Sequence, residues 1–366
     1  MRLGDIARES RETFKGDKTD VPIVGLEHLI SQELRFTDYE VNTDNTFTKS
    51  FRKGQILFGR RRAYLKKAAI AEIDGVCSGD ITVIEAIPGK VDSQLLPFII
   101  QNDRLFDFAV SRSAGGLSPR VKWEHLADYE LELPSIEEQR VLADKLWAAY
   151  ELKEAYKKMI AATDEMVKSQ FIEMFGACTH NVYLSTLCNV FIDGDWIESK
   201  DQSDVGIRLI QTGNIGDGYF RDKDDKARYI SEQTFEHLKC TEVFPNDILI
   251  SRLPDPIGRA CVIPDGIGKS ITAVDCTIVR LSNKILPEFF VAYTKTPMYQ
   301  RQINEVATGT TRRRVSRANL GNIKITCPSL DKQQQFVDIV NQADKSKFEL
   351  RQAIEKIDKV MKSLIN

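Results

Sequence analysis

Ala114-Gly115-Gly116-Leu117-Ser118-Pro119-Arg120-Val121 closes the first half of this chain, followed by Leu126 and then Leu133-Pro134-Ser135-Ile136-Glu137-Glu138-Gln139. In the same spacing the second half closes on Thr308-Gly309-Thr310-Thr311-Arg312-Arg313-Arg314-Val315, Leu320 and Cys327-Pro328-Ser329-Leu330-Asp331-Lys332-Gln333. A repeat of this length marks a duplicated structural unit. Each copy runs on into a long, charged segment whose apolar residues recur at helical spacing. The chain therefore reads as globular unit, long helix, globular unit, long helix.

The helix starts are written most plainly. Ser135-Ile136-Glu137-Glu138 is a capping box, in which the serine hydroxyl accepts from the backbone and Glu138 reaches back to the cap. From Ile136 the chain runs to Phe175 without proline or glycine, until Gly176 offers a stop. Leu142, Leu146, Ala149, Leu152, Tyr156, Met159, Thr163 and Met166 recur in steps of three and four. The second helix begins at Ser329, with Lys332 in the box position. Its seam is Phe336, Val340, Ala343, Lys347, Leu350, Ile354, Ile357, Met361 and Leu364, a heptad pattern with Lys347 its one polar member. Each helix leaves its unit in the same sense, so the seams predict an antiparallel pair. The alternative is a helix packed on its own unit; at ~1.5 Å per residue each is ~60 Å long, which favours the pair.

The two globular units share an order of elements. Gly54-Gln55-Ile56-Leu57-Phe58 lines up with Asn246-Asp247-Ile248-Leu249-Ile250, and Leu96-Pro97 with Leu286-Pro287. Val21-Pro22-Ile23-Val24-Gly25, Ile81-Thr82-Val83-Ile84, Ile207-Arg208-Leu209-Ile210 and Cys276-Thr277-Ile278-Val279 are further strand-like runs. Single helices are expected over 97–110 and 287–306. The fold class expected is α+β: two similar domains, 1–134 and 177–328, joined by long helices over 135–176 and 329–366 that pair as an antiparallel coiled coil.

Composition agrees with two such cores. The 366 residues are 42% apolar and 28% charged, as in an ordinary globular protein. No apolar run approaches the ~18 residues of a membrane span, and the start Met1-Arg2-Leu3-Gly4-Asp5 lacks an apolar signal region. A cytoplasmic location without membrane contact is expected. Seven scattered cysteines contain no Cys-x-x-Cys pair, and four histidines form no cluster, which points to buried reduced thiols and no metal site. A net charge of −2 is not that of a bulk nucleic-acid binder, so any such contact must come from local basic clusters.

The duplicated order, with its Pro-Ser-Ile/Leu-x-x-Gln helix starts, resembles the specificity subunit of type I restriction-modification systems. So do the run Lys168-Ser169-Gln170-Phe171-Ile172-Glu173-Met174-Phe175-Gly176 and the run Gly115-Gly116-Leu117-Ser118-Pro119-Arg120-Val121-Lys122-Trp123. The resemblance covers the whole chain. It implies a non-catalytic chain whose two units are target-recognition domains, each reading one half of a split double-stranded DNA sequence. The helices would set the distance between the halves and dock two methyltransferase subunits, with restriction subunits joining that core. No cofactor would sit in this chain; S-adenosylmethionine would belong to the methyltransferase partner, and ATP and Mg to the restriction partner. Family members are often longer at the C-terminal end.

Several residues are candidates for DNA contact. Arg60, Arg61 and Arg62, followed by Lys66 and Lys67, form the densest basic cluster of the first unit, at a strand end. Arginine suits both phosphate positioning and bidentate reading of guanine. A solvated basic loop is the bland reading, and Arg252 at the matching place in the second unit weighs against it. Arg312, Arg313, Arg314 and Arg317 lie in the second copy of the glycine loop, opposite Ser118, Pro119, Arg120 and Trp123 of the first, where Ser118, Arg120 and Lys122 are the candidates. Adjacent arginines repel unless an anion offsets them, so backbone clamping is expected there, with a methyltransferase-facing surface as the rival. Divergent loops over 43–50 and 211–221 are expected to read bases, with Asn45, Gln211 and Asn214 as candidate readers and ordinary turn residues as the alternative.

Enzyme motifs fail on inspection. Asp265-Gly266-Ile267-Gly268-Lys269-Ser270 imitates the end of a phosphate-binding loop, but Ile263 stands where its first glycine belongs. Asp255-Pro256 lacks the rest of an amino-methyltransferase motif. A coiled-coil adaptor whose globular units bind proteins is the competing function, and an enzyme with unrecognised motifs is the third.

Overall fold

The computed structural model describes residues 1–310 and 312–365; Thr311, quoted in the repeat above, lies outside them. The chain divides into two compact units: residues 1–158 with 350–365, and residues 159–349.

Both units are built on one plan. In the first, strands Ala7–Glu9, Ile81–Ala86, Ile56–Gly59 and Ala68–Ile70 form an antiparallel sheet in that spatial order. In the second, Cys188–Asp193, Cys276–Leu281, Ile248–Ser251 and Ala260–Val262 repeat it. The central strands are apolar on consecutive positions because both faces are covered. Ile56 and Phe58 face the helices while Leu57 faces a second, smaller sheet. Ile248 and Ile250 likewise face helices and Leu249 the second sheet. The smaller sheets share a parallel pair, Ile23–Val24 with Gly75–Cys77 and Ile207–Ile210 with Ser270–Thr272. Each unit is thus three layers: helices, sheet, sheet.

The strand-like runs named above all contain strands, and the first long helix spans Ile136–Phe175 as expected. Two helices are shorter than expected. The span 97–110 is divided into Leu96–Ile100 and Asp103–Ser111, because the Asn102 side chain accepts from Arg104 N at 2.8 Å and starts a new helix. The span 287–306 is divided into Pro287–Thr294 and Pro297–Val306, where Thr296 caps and Pro297 takes the first helical position.

The second long helix spans Leu330–Ile365, and within each unit the two long helices pair antiparallel. In the first unit Lys153 meets Asp358 at 2.7 Å, while Met361 and Ile365 pack on the cluster that holds the earlier residues Leu146 and Tyr150. In the second unit Asp164 meets Lys347 at 2.7 Å, and Phe171 and Phe175 pack their rings on Phe336. The seam of the first helix differs from expectation. Ala143, Leu146 and Tyr150 are buried, but Leu152, Met159 and Met166 are exposed, because the buried stripe drifts off a strict heptad. Leu364 is exposed as well, and Ile365 takes its place against the core.

The repeated helix start has a structural reason. The Ser135 capping box forms, with Ser135 N donating to Glu138 Oε2 at 2.9 Å. Gln139, buried, accepts from Asp92 N at 2.9 Å and donates to Pro134 O at 2.9 Å. Gln333, fully buried, accepts from Leu286 N at 2.8 Å and donates to Lys284 O and Pro328 O. Each glutamine ties the start of a long helix to the segment that enters the unit's own helices.

All seven cysteines are free, and burial pushes the Cys77, Cys188, Cys261 and Cys276 thiols up to about 12. They are protonated, inert groups at neutral pH. Among the described residues no helix is long and apolar enough to cross a membrane, and no cluster of metal-ligating side chains occurs. Gly266 and Gly268, at φ +82° and +74°, form a turn into the strand Ser270–Thr272 and open no helix, so the phosphate-loop imitation is a turn between strands of two different sheets.

Candidate nucleic-acid interface

The duplicated glycine loops have the same closure. In the first unit Ala114 and Arg120 exchange both backbone hydrogen bonds at 2.9 Å; in the second Thr308 and Arg314 do the same at 2.9 Å. The second residue of each is a glycine at positive φ, +116° for Gly115 and +94° for Gly309, where a side chain would be strained. Each loop then hooks to the end of the central strand. Val121 N donates to Arg60 O at 3.0 Å, and Val315 N donates to Arg252 O at 3.2 Å. The same arginines make a second backbone contact, donating to the turn before the neighbouring strand, Arg60 N to Asp80 O at 3.0 Å and Arg252 N to Asp275 O at 2.9 Å. Arg60 and Arg252 are therefore equivalent in backbone.

Their side chains differ. Arg252 is 4% exposed, donates to Val315 O and Val274 O, and lies 3.3 Å from Asp193. The structure does not bring it to the surface; it holds loops together, because a buried guanidinium must be satisfied by local acceptors. Arg60 is only half-buried, although the Nε of each of the two arginines lacks a hydrogen-bond partner. Arg62, exposed, sits at φ 55° beside the loop, its N–H donated to Pro119 O at 2.8 Å.

Around the first loop, Arg61 donates to Asp80 at 3.2 Å and Ser118 Oγ at 3.1 Å, and Arg120 donates to Asp80 at 2.7 Å. Partial burial pushes the Asp80 carboxyl up, but hydrogen bonds from Arg120 and Arg61 outweigh it and hold it below the usual aspartate value. One carboxylate thus orients two arginines and leaves a net positive charge. Arg60, Arg61, Arg62, Ser118 and Arg120 come together; Lys122 follows them, exposed. Lys66 and Lys67 do not join, being bound to Asp103 at 2.6 Å and Leu26 O at 2.6 Å.

In the second unit Arg312, Arg314 and Arg317 are exposed, and Arg313 donates to Asn304 Oδ1 at 2.9 Å. On this loop and the helix start that follows it, Arg312, Arg314 and Arg317 have no carboxylate partner among the described residues, which makes this the more anion-seeking of the two.

The candidate readers fare unevenly. Asn45 is a turn residue, accepting from Phe47 N at 3.0 Å and donating to Thr43 O at 2.9 Å. Asn214 is buried, accepts from Gln211 N at 3.0 Å and donates to Arg221 O at 3.0 Å, so its amide is occupied by backbone. Gln211 is half-buried at the strand end. What the loop exposes is Asp217, Tyr219 and Arg221, which were not singled out in sequence. Asp80 was missed too, although an aspartate stands at the matching turn of each unit.

These observations define a tandem α+β protein that presents one basic loop, hooked to one strand end, per unit. Residues 180–359, the second unit and most of its helix, match the family model described as type I restriction modification DNA specificity domain. That half of the chain carries this family's domain. It is 22% identical over 277 residues to the type I restriction enzyme EcoBI specificity subunit of Escherichia coli, an alignment covering 66% of this chain. The chain spans 57% of the length of that curated relative. Its fold is similar to a chain from a structure reported as the basis of complex assembly and conformational transition of the type I R-M system, with a TM-score of 0.62 and 18% identity, over 100% of this chain and 95% of that one. It is also similar to the type I restriction-modification system S subunit from M. genitalium, with a TM-score of 0.55 and 14% identity, over 100% and 94% of the two chains.

Proposed function

We propose that this chain is the DNA-recognition subunit of a type I restriction-modification complex. Each unit reads one half of a split duplex target, and the chain performs no bond-making chemistry itself. The observation that carries this reading is the duplicated loop: identical closure, identical attachment to the strand end, and arginines on both copies. The family match over residues 180–359 supports it independently. Arg312, Arg314 and Arg317 are assigned to phosphates, and Arg60, Arg61, Arg62, Ser118, Arg120 and Lys122 to the equivalent face of the first unit.

The exposed apolar residues Leu152, Met159 and Met166, seven apart on one helix, support docking of a partner on the long helices. Methyltransferase subunits, two per chain, are the partners proposed, with restriction subunits joining them. S-adenosylmethionine would be held by the former, and ATP with Mg by the latter.

Footprinting the full chain with its methyltransferase partner tests the reading. Two protected half-sites with an unprotected gap are expected. A single continuous site, or no protection, would overturn it. Replacing Arg312, Arg313 and Arg314 together by alanine should weaken binding to all duplexes and reduce the salt slope by about 2 to 3.

A further inference from the structure

The loop over residues 211–221 folds back on itself as a short hairpin. Ile215 bridges Phe220, Gly216 N donates to Tyr219 O at 2.9 Å, and Arg221 N donates to Asn214 O at 2.7 Å. Beside the exposed Asp217 at its tip, two exposed side chains hold each other. Arg221 donates to Tyr219 Oη at 3.0 Å, and its guanidinium lies 5.4 Å from the centre of the tyrosine ring. A guanidinium braced on an aromatic ring is pre-organised, which lowers the entropy it loses on meeting a flat acceptor.

The hairpin is fixed from below by one residue. Arg259 Nε donates to Ile215 O at 2.8 Å and its Nη2 to Thr212 O at 3.0 Å. Its Nη1 donates to Pro254 O at 2.8 Å and Pro256 O at 2.9 Å. Two loops distant in sequence are thus joined through four carbonyls, and among the described residues no carboxylate pairs with this arginine. Burial without such a partner lowers the arginine's proton affinity from its usual value. The 253–258 loop is itself anchored. Tyr299, fully buried, donates to Gly258 O at 3.0 Å, and a Cβ at Gly258 would fall 2.9 Å from Ile303. This loop follows Arg252, to which the basic loop over 308–314 is hooked. The hairpin and the phosphate-seeking loop therefore belong to one hydrogen-bonded ledge.

We propose that the hairpin over residues 214–221 is the base-discriminating element of the second unit, with Arg221 its specificity-determining residue and Arg259 the positioning residue that holds it. The inference rests on the reading of the chain as a DNA-recognition subunit. The ligand chemistry is a guanine edge, whose paired acceptors N7 and O6 match the two-pronged donor that Arg221 presents.

The test is selection from a randomised duplex library by the full chain, alone and with its methyltransferase partner, followed by sequencing and titration of the selected duplex. The wild-type chain should select a two-part motif. Arg221→Ala should lose preference at guanine positions of one half-site only. Affinity for the selected duplex should fall roughly ten- to a hundred-fold, while affinity for unrelated duplex stays within about two-fold. Tyr219→Leu should act in the same direction, more weakly. Arg259→Lys cannot reach four carbonyls and should relax the same half-site with the other half intact, an effect that a general loss of folding would not produce. Equal loss of binding to all duplexes in Arg221→Ala would make it a phosphate contact and overturn the proposal. So would an unchanged motif in Arg221→Ala and Arg259→Lys while wild type selects one. If wild type selects no motif in either form, the recognition reading itself fails and the inference falls with it.

Discussion

Gln139 and Gln333 show how much a single buried amide can fix. Each sits at the same point of a duplicated motif, and each joins a helix start to a segment that enters the same unit. Gln333→Leu leaves the Leu286 N–H and the Pro328 carbonyl without their side-chain partner, and Lys284 O with only the Cys327 thiol, so it should destabilise the second unit by about 1 to 3 kcal/mol in denaturant titration. Asp80 makes a prediction in pH. Its folded carboxyl titrates below its unfolded value, so the stability it contributes is present above about pH 4 and lost as pH falls through the folded value. The Arg62 N–H, donated to Pro119 O, should lose hydrogen-exchange protection over that acid range in wild type. In Asp80→Asn the protection should be lower throughout and insensitive to that range.

The arginines were visible in the sequence as charges, but not as positions. Arg252 and Arg60 are alike in spacing, and only their surroundings send one inward. Asn214 carries the same amide whether it faces a base or its own backbone. Arg259 could not be read at all, because its acceptors are main-chain carbonyls, which leave no mark on a sequence.

At the scale of elements, the long helices were legible to the residue at one end and misread along the seam. The capping box of Ser135 and Glu138 is local chemistry, and local chemistry survives folding unchanged. Which apolar residues turn inward depends on the partner helix, and there Leu152, Met159 and Met166 went the other way. Lys347, the polar member of the second seam, is buried and bonded at 2.7 Å to both Asp164 and Asp344. Burial works against its charge, but these hydrogen bonds outweigh it and hold the ammonium above the usual lysine value. Both aspartates are half-exposed and can rehydrate, so Lys347→Met should leave the thermal midpoint within a few degrees of wild type. The cost should appear as lost register, visible as weaker protection of the second helix around Ala343. A large drop in midpoint for Lys347→Met would show that the ion pairs themselves stabilise the seam.

For the whole molecule, the duplication predicts independence of the two halves. Exchanging residues 178–328 for the matching segment of a relative should change one half-site in methylation mapping and leave the other as it was. A change in both would show that the units do not read separately. The general plan was legible because the repeat is spelled out at the loop and helix start. The breaks at Asn102 and Thr296 were harder to see, since the apolar face continues across each of them while capping alone interrupts the helix.

Residues 159–349 form the second unit without interruption, whereas the first needs residues 350–365 to supply Asp358, Met361, Lys362 and Ile365 to its core and its ion pairs. During synthesis the order of maturation should therefore run against the order of the chain. The later-made unit can close on itself as it emerges from the ribosome, while the earlier one waits, its Tyr150 face open, for the helix that completes it. Stalled chains ending near residue 349 should accordingly show a protease-resistant second half beside a first half that is still cut.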